Sequence, residues 1–145
     1  MNYRQGVIII LKKGDSFLLA RKKGSAEWYF PAGGQDQGES VTDTFYREIA
    51  EELGLQKERV SFLRISRVTH KYEWNEKFKQ KTGYDGQEQH IVIAEFTGNI
   101  ELSGHDELEE VRLVKGAELL RTLAHKDLQE TVKKMIAHGE LEGVG

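Results

Sequence analysis

Between Gly33 and Leu55 the chain reads GGQDQGESVTDTFYREIAEELGL, and this stretch constrains the fold more than any other. Val41, Phe45, Ile49 and Leu53 recur every four residues, the spacing of an apolar stripe on a helix. Ser40 is suited to cap that helix, with Asp43 three positions on in a variant of the capping box. Gly54 supplies a C-terminal stop. A helix is therefore predicted over 41–53, entered through a tight turn at Gly33 and Gly34. Its stripe needs an apolar surface to cover, and the flanking sequence offers strands. Residues 6–12 and 17–21 read as two strands joined by a hairpin turn at Gly14, Asp15 and Ser16. Residues 28–32 are extended, because the residue before Pro31 avoids helix. Further strands are expected over 60–69, 90–96 and 111–114. Part of the polar, aromatic segment 70–89 reads as loop. Helices are expected over 116–122 and 126–138, the latter with Leu128, Val132, Met135 and Ile136 on one face, followed by a frayed tail. Strands and helices mixed in this way predict a layered α/β arrangement, residues 1–145 forming one domain.

The other face of the 41–53 helix carries the chemistry. Glu48, Glu51 and Glu52 stand at i, i+3 and i+4, so they share a face. Like charges at those spacings destabilise an isolated helix, and their place in its C-terminal half is unfavourable to anions. A bound cation would reverse both penalties. Hard divalent ions take oxygen ligands, magnesium typically a few carboxylates plus water and phosphate; manganese suits the same donors. Arg47, at i, i+4 to Glu51, can hold it by a charge-assisted bond. Alone, a run such as Glu-Ile-Ala-Glu-Glu-Leu is ordinary solvated helix surface. The glycines before it and Glu39, a fourth carboxylate just ahead of the helix, change that reading.

Gly33, five residues, Glu39, seven residues, then Arg47-Glu48-Ile49-Ala50-Glu51-Glu52-Leu53-Gly54-Leu55 resembles the complete Nudix box without a gap. The resemblance implies a Nudix-type α/β/α sandwich with a mixed β-sheet and a catalytic loop-helix-loop. It implies that Glu48, Glu51 and Glu52 are the main metal ligands, that the Gly33 carbonyl completes their site, and that Arg47 orients a catalytic glutamate. Glu39 would brace the loop, with Gly34 and Gly54 as further structural positions. The activity implied is metal-activated attack of water on a phosphorus of a diphosphate, with Mg2+ as cofactor.

The context around the box is similar to two groups of that family, the bacterial RNA 5′-pyrophosphohydrolases and the asymmetric diadenosine tetraphosphate hydrolases. Trp28-Tyr29-Phe30-Pro31-Ala32-Gly33-Gly34 and Gly38-Glu39-Ser40 carry the likeness, as do Gly86-Gln87-Glu88-Gln89 and Asp106-Glu107-Leu108-Glu109. On that match Glu107 is a further catalytic or metal-associated carboxylate, although no proline precedes it and Val111 and Leu113 stand where those groups carry tryptophan. As one of four acids in Asp-Glu-Leu-Glu-Glu it also reads as a solvated loop residue. His125 and Lys126 stand where those groups place an aromatic residue for the base. Candidate substrate-binding residues are Arg21, from the Arg21-Lys22-Lys23 cluster, with Lys71, Tyr84 and Gln89. Lys71 and Tyr84 belong to a segment, 64–84, where cations and aromatics interleave. Such residues suit phosphate and base respectively. His70, His90 and His105 could lie near the site, but none of the histidines has zinc-site spacing.

The expected partner is a small nucleoside polyphosphate, either a dinucleoside tetraphosphate or a triphosphate-bearing RNA 5′ end. Alternatives in the same fold are nucleoside triphosphates, ADP-ribose or another nucleoside diphosphate derivative, and a non-catalytic ligand-binding module. A plain interaction domain with an acidic helix face is a further class. A net charge of −3 argues against a broad nucleic-acid-binding surface. The absence of cysteine excludes disulfides and thiolate metal sites. The apolar run Val7 to Leu11 is too short to span a bilayer, and nothing directs the chain out of the cytoplasm. Oligomeric state is not legible.

Overall fold

The computed structural model describes residues 1–103 and 107–144. Seven strands form one mixed sheet: β1 (Tyr3–Lys13), β2 (Ser16–Lys22), β3 (Trp28–Tyr29), β4 (Ala32–Gly34), β5 (Val60–Glu73), β6 (Gly86–Phe96) and β7 (Leu108–Lys115). Four α-helices accompany them: α1 (Val41–Leu53), α2 (Glu76–Thr82), α3 (Gly116–Thr122) and α4 (Lys126–Ala137). The main path runs β3-β2-β1-β6-β5, with β4 also paired to β1 and β7 to β2. Only β1 and β6 run parallel; the other pairs are antiparallel.

Alternation along the central strands assigns the two faces. Val7, Ile9 and Leu11 of β1, with Val92 and Ala94 of β6, meet Phe45, Ile49 and Leu53 of α1. Ile8, Ile10, Ile91 and Ile93 point the other way, onto α3 and α4 through Leu119, Leu123, Val132 and Met135. Helices thus cover both faces, the α/β/α sandwich. The α1 stripe is fully buried at Phe45, Ile49 and Leu53, each contributing about 1.5–3 kcal/mol by burial. Ser40 and Asp43 close a reciprocal capping box, and Gly54 ends α1 in the left-handed conformation at φ 64°.

One irregularity positions the site. β1 and β2 pair only beside their hairpin, at Lys12–Phe17 and Lys13–Ser16. Farther along they splay, β1 taking β4 and β2 taking β3 as partner. The segment 28–34 fills the gap, and the Ile9 N–H donates to the Pro31 carbonyl at 2.8 Å. Gly33 and Gly34 are thus extended strand, paired to Val7 and Gly6, rather than the tight turn expected, and the wedge brings them and the glutamate face of α1 to the same opening.

Two expectations are corrected. Segment 70–89 is mostly regular: β5 continues to Glu73, α2 follows, and β6 begins at Gly86. The β5–β6 ladder shifts register between Phe62 and Arg64 and again between Ile65 and Thr69, within the part expected as strand; beyond it His70 to Glu73 pair with Gln89 to Gly86 in unbroken register, and polar side chains there mask the strand. The tail after α4 is anchored rather than frayed. Glu140 and Leu141 are buried, and Glu140 accepts bonds from the Ser66 hydroxyl and the Arg67 N–H. His105 and Asp106 lie outside the described residues.

Glu140→Ala is expected to destabilise the fold by about 1–3 kcal/mol, because two donors on β5 lose their acceptor in a buried place. Urea unfolding measures it; an unchanged midpoint would mean that the tail contributes nothing.

Candidate active site

A cleft of about 740 Å³ opens at the wedge. One wall carries Gly33, Gly34, Glu48 and Glu52; another carries His70, Tyr72, Gln87 and Gln89; Tyr29, His125 and Asp127 stand at a third side. Glu107 and Lys22, which form an ion pair at 3.5 Å, also line it.

Arg47 organises the first wall. Its guanidinium donates to Glu39 at 2.7 and 2.9 Å, to Glu48 at 2.8 Å and to the Gly34 carbonyl at 2.9 Å. The contact to Glu51 is longer, 3.4 Å. Arg47 therefore spends its donors on the loop and on Glu48 more than on its i, i+4 neighbour. Glu39 accepts in addition from the Asp36 N–H and the Thr44 hydroxyl. With the Arg47 bonds as the largest cause and those two donors assisting, the Glu39 carboxyl is held down to about 2, from the usual 4.5. The Arg47 guanidinium is correspondingly raised, chiefly by Glu39.

Glu48 is buried although charged, and it lies directly against the Gly33 backbone, where any Cβ would collide with its carboxylate. Glycine at position 33 is thus required by close approach. Glu52 is half-buried and faces the cleft, whereas the Glu51 side chain is 61% exposed and is not part of the lining. Among the described residues, no three acidic or histidine side chains converge on a single point. The donor chemistry still fits a hard divalent ion: Glu48, Glu52 and the Gly33 backbone offer only oxygen, they are adjacent, and Glu48 is pressed against the glycine.

The candidate substrate residues divide. Gln89 lines the cleft. Arg21 does not; it bonds Glu109, Glu110 and the Ser25 carbonyl. Lys71 lies over the Tyr3 ring at 4.3 Å, away from the cleft. Tyr84 is exposed in the turn between α2 and β6 and is not in the lining either. Their neighbours Lys22, His70 and Tyr72 take the cleft positions. Arg4 and Asp127 also line it and had no part in the sequence reading, while Tyr29 and Gln87, in the lining too, figured there only as members of motifs. The Tyr29 hydroxyl donates to Glu27 and stands 3.1 Å from His125 Nε2, the two rings 5.4 Å apart. Burial, followed by the hydrogen bond to Glu27 and then that carboxylate's charge, pushes its pKa up to about 12. His70 Nδ1 lies 2.9 Å from the Thr131 hydroxyl, and burial lowers its pKa below the ordinary histidine value against the opposing charge of Asp127. His90 instead meets Gln5 at 3.1 Å and is not in the lining.

The NUDIX domain sequence model matches residues 2–138, and the chain belongs to the Nudix family. It is a pyrophosphohydrolase of that family. It is 36% identical over 115 residues to an RNA pyrophosphohydrolase from Shewanella frigidimarina, the match covering 74% of this chain and 67% of the relative. A protein of the same name from Pseudoalteromonas atlantica is 32% identical over 117 residues, covering 75% and 67%. The chain thus spans about two thirds of the length of these relatives. Among solved structures, an Ap4A hydrolase from C. elegans superposes with a TM-score of 0.69 at 18% identity, covering 95% of this chain and 97% of that one. An E. coli dihydroneopterin triphosphate pyrophosphohydrolase superposes with a TM-score of 0.73 at 11% identity, covering 95% and 99%. These two establish the shared fold. Enzymes of the family depend on divalent metal ions. No helix among the described residues is long and apolar enough to cross a membrane.

Because Glu39 is depressed in the folded state, its stabilising bonds are fully present above its unfolded value near 4.5 and are lost as pH falls toward 2. Glu39→Gln should lower the melting temperature at neutral pH and flatten the acid limb between pH 4.5 and 2. Melting curves across that window check it; parallel limbs for the two proteins would remove Glu39 from the account.

Proposed function

We propose that the chain hydrolyses a phosphoric anhydride bond in a nucleoside polyphosphate, with a 5′-triphosphorylated RNA end as the first candidate and a dinucleoside tetraphosphate as the second. The observation that carries this reading is the pairing of walls in one cleft. Glu48 and Glu52 face it from α1, while Tyr72, His70, Tyr29 and His125 face it with rings. The carboxylates suit a cation and a phosphate chain; the rings suit a base. The name shared by the Shewanella and Pseudoalteromonas relatives supports the RNA end. The fold shared with the Ap4A hydrolase is compatible with either substrate.

Glu48, Glu52 and the Gly33 carbonyl are the groups that would hold the ion, with Glu51 joining from the adjacent turn of α1. Magnesium is the expected ion and manganese the substitute. Held there, it supplies Lewis acidity and neutralises charge on the diphosphate. The chain's own contribution is position. Arg47 fixes Glu48 against Gly33, so that carboxylate is oriented before the substrate arrives. Glu52, also in the lining, can accept a proton from the attacking water. Glu107 reaches the mouth of the cleft paired with Lys22, and a substrate phosphate competing for Lys22 would release it toward the reacting end.

Product analysis tests the proposal. Triphosphorylated RNA, diadenosine tetraphosphate, nucleoside triphosphates and ADP-ribose would each be incubated with and without magnesium. Release of diphosphate or of successive phosphates from the RNA end supports the first candidate. ATP plus AMP from the dinucleotide supports the second. Turnover of ADP-ribose alone would overturn both. Glu52→Gln is expected to lower kcat about 10²- to 10⁴-fold while leaving the fold intact. An apo melting temperature that stays level or rises, because one repulsive pair of carboxylates is gone, would go with that loss.

A further inference from the structure

The Gly33-Gly34 pair separates two side chains of opposite sign. Successive residues of a strand face opposite ways. A Cβ on Gly33 would strike Glu48; a Cβ on Gly34 would strike the guanidinium of Arg4. Both side chains line the cleft. Arg4 is the only arginine in that lining, and among the described residues its guanidinium has no carboxylate within 4 Å. Arg47, on α1, is by contrast surrounded by four carboxylates, Asp36, Glu39, Glu48 and Glu51, and a carbonyl. The other cleft cation on a strand, Lys22, is engaged by Glu107. Arg4 also sits beside Gln87 in the β1–β6 ladder, and Gln87 accepts a bond from the Tyr72 hydroxyl. These three residues make a continuous polar wall.

We infer that Arg4 is the phosphate-positioning residue of this enzyme, its guanidinium gripping the polyphosphate chain across the glycine pair from Glu48. The inference rests on the nucleoside polyphosphate reading of the cleft. A guanidinium presents a planar fork that matches two phosphate oxygens, which an ammonium does not. Where Glu48 and Glu52 crowd the reacting end, a cation across the glycine pair balances the field felt by the remaining phosphates. The geometry also gives Gly34 a function: it leaves the space over which the fork lies. A methyl group there meets the far end of a flexible side chain, so it would displace Arg4 without dismantling the loop.

The test combines binding with kinetics on the full chain. In magnesium-containing buffer, inorganic tripolyphosphate is titrated calorimetrically into wild type, Arg4→Gln, Arg4→Lys, Gly34→Ala and the Arg4→Gln/Gly34→Ala double variant. The same proteins are assayed on whichever polyphosphate the wild type turns over. Arg4→Gln should weaken tripolyphosphate binding about tenfold or more, and raise KM to match while kcat moves little. Arg4→Lys should recover part of the loss. Gly34→Ala should behave like Arg4→Gln, and the double variant should be no worse than either, because both remove one interaction. Unchanged Kd and KM in a folded Arg4→Gln protein would overturn the inference, as would a fall in kcat at constant KM. So would additive losses in the double variant. Should Arg4→Gln fold poorly, Arg4→Lys and Gly34→Ala decide alone. A wild type that binds tripolyphosphate in an Arg4-dependent way but turns over no nucleoside polyphosphate would sink the substrate reading and leave the positioning role standing.

Discussion

The guanidinium of Arg47 is the interaction on which the reacting wall depends. It ties together three pieces of chain: the loop carboxylate Glu39, the α1 carboxylate Glu48 and the carbonyl of Gly34. Without it, Glu48 would be a buried anion against a glycine, and burial of an unpaired charge is strongly unfavourable. With it, the loop between β4 and α1 is locked to the helix, and the carboxylate stands in one orientation. The arrangement is a network, so its parts are not separable energies. Glu39 is held by four donors, and Arg47 in turn limits where Glu48 can go.

The sheet makes that wall accessible. Had β1 and β2 stayed paired along their length, α1 would lie sealed beneath them, its glutamates unable to reach the other face. The splay after Lys12–Phe17 lets residues 28–34 enter the sheet, and the strand end they carry is made of glycines. The α1 face and the α4 face thereby share an opening, one contributing carboxylates and the other rings.

Much of this was legible in the residues. The four-residue apolar spacing, the Ser40 cap and the Gly54 stop delimit α1 at the same residues that the structure gives, because helix periodicity and capping are local properties. The hairpin of β1 and β2 and the positions of α3 and α4 follow from equally local patterns. The substrate wall was harder to read, and the reason is the parity of strands. Lys22 and Arg21 are neighbours, as are Tyr72 and Lys71, yet one of each pair lines the cleft and the other turns away. Parity can be assigned only when a segment is recognised as a strand in a known register. β5 is legible as a strand only over 60–69, short of Lys71 and Tyr72, and β2 shifts against β7 between Arg21 and Lys22. Arg4 gave no signal, since its meaning comes from a glycine thirty positions away. The anchoring of Glu140 is likewise a contact with β5 across the fold.

The wedge has a consequence for how such an enzyme can diversify. The segment bearing the reacting wall is hydrogen-bonded to strands on both sides, so it is welded into the sheet and cannot swing as a lid. The ring-bearing wall is assembled differently: apart from Tyr29 on β3, its rings come from the outer reach of β5 and from His125 at the head of α4, with α2 inserted beyond β5. Lengthening or shortening that insertion would reshape the pocket for the leaving portion of a ligand without moving a bond of the welded wall. On the proposed reading, bond cleavage and most of the selectivity sit on separate modules, and a designer seeking a new specificity has the freer half of the molecule to work with.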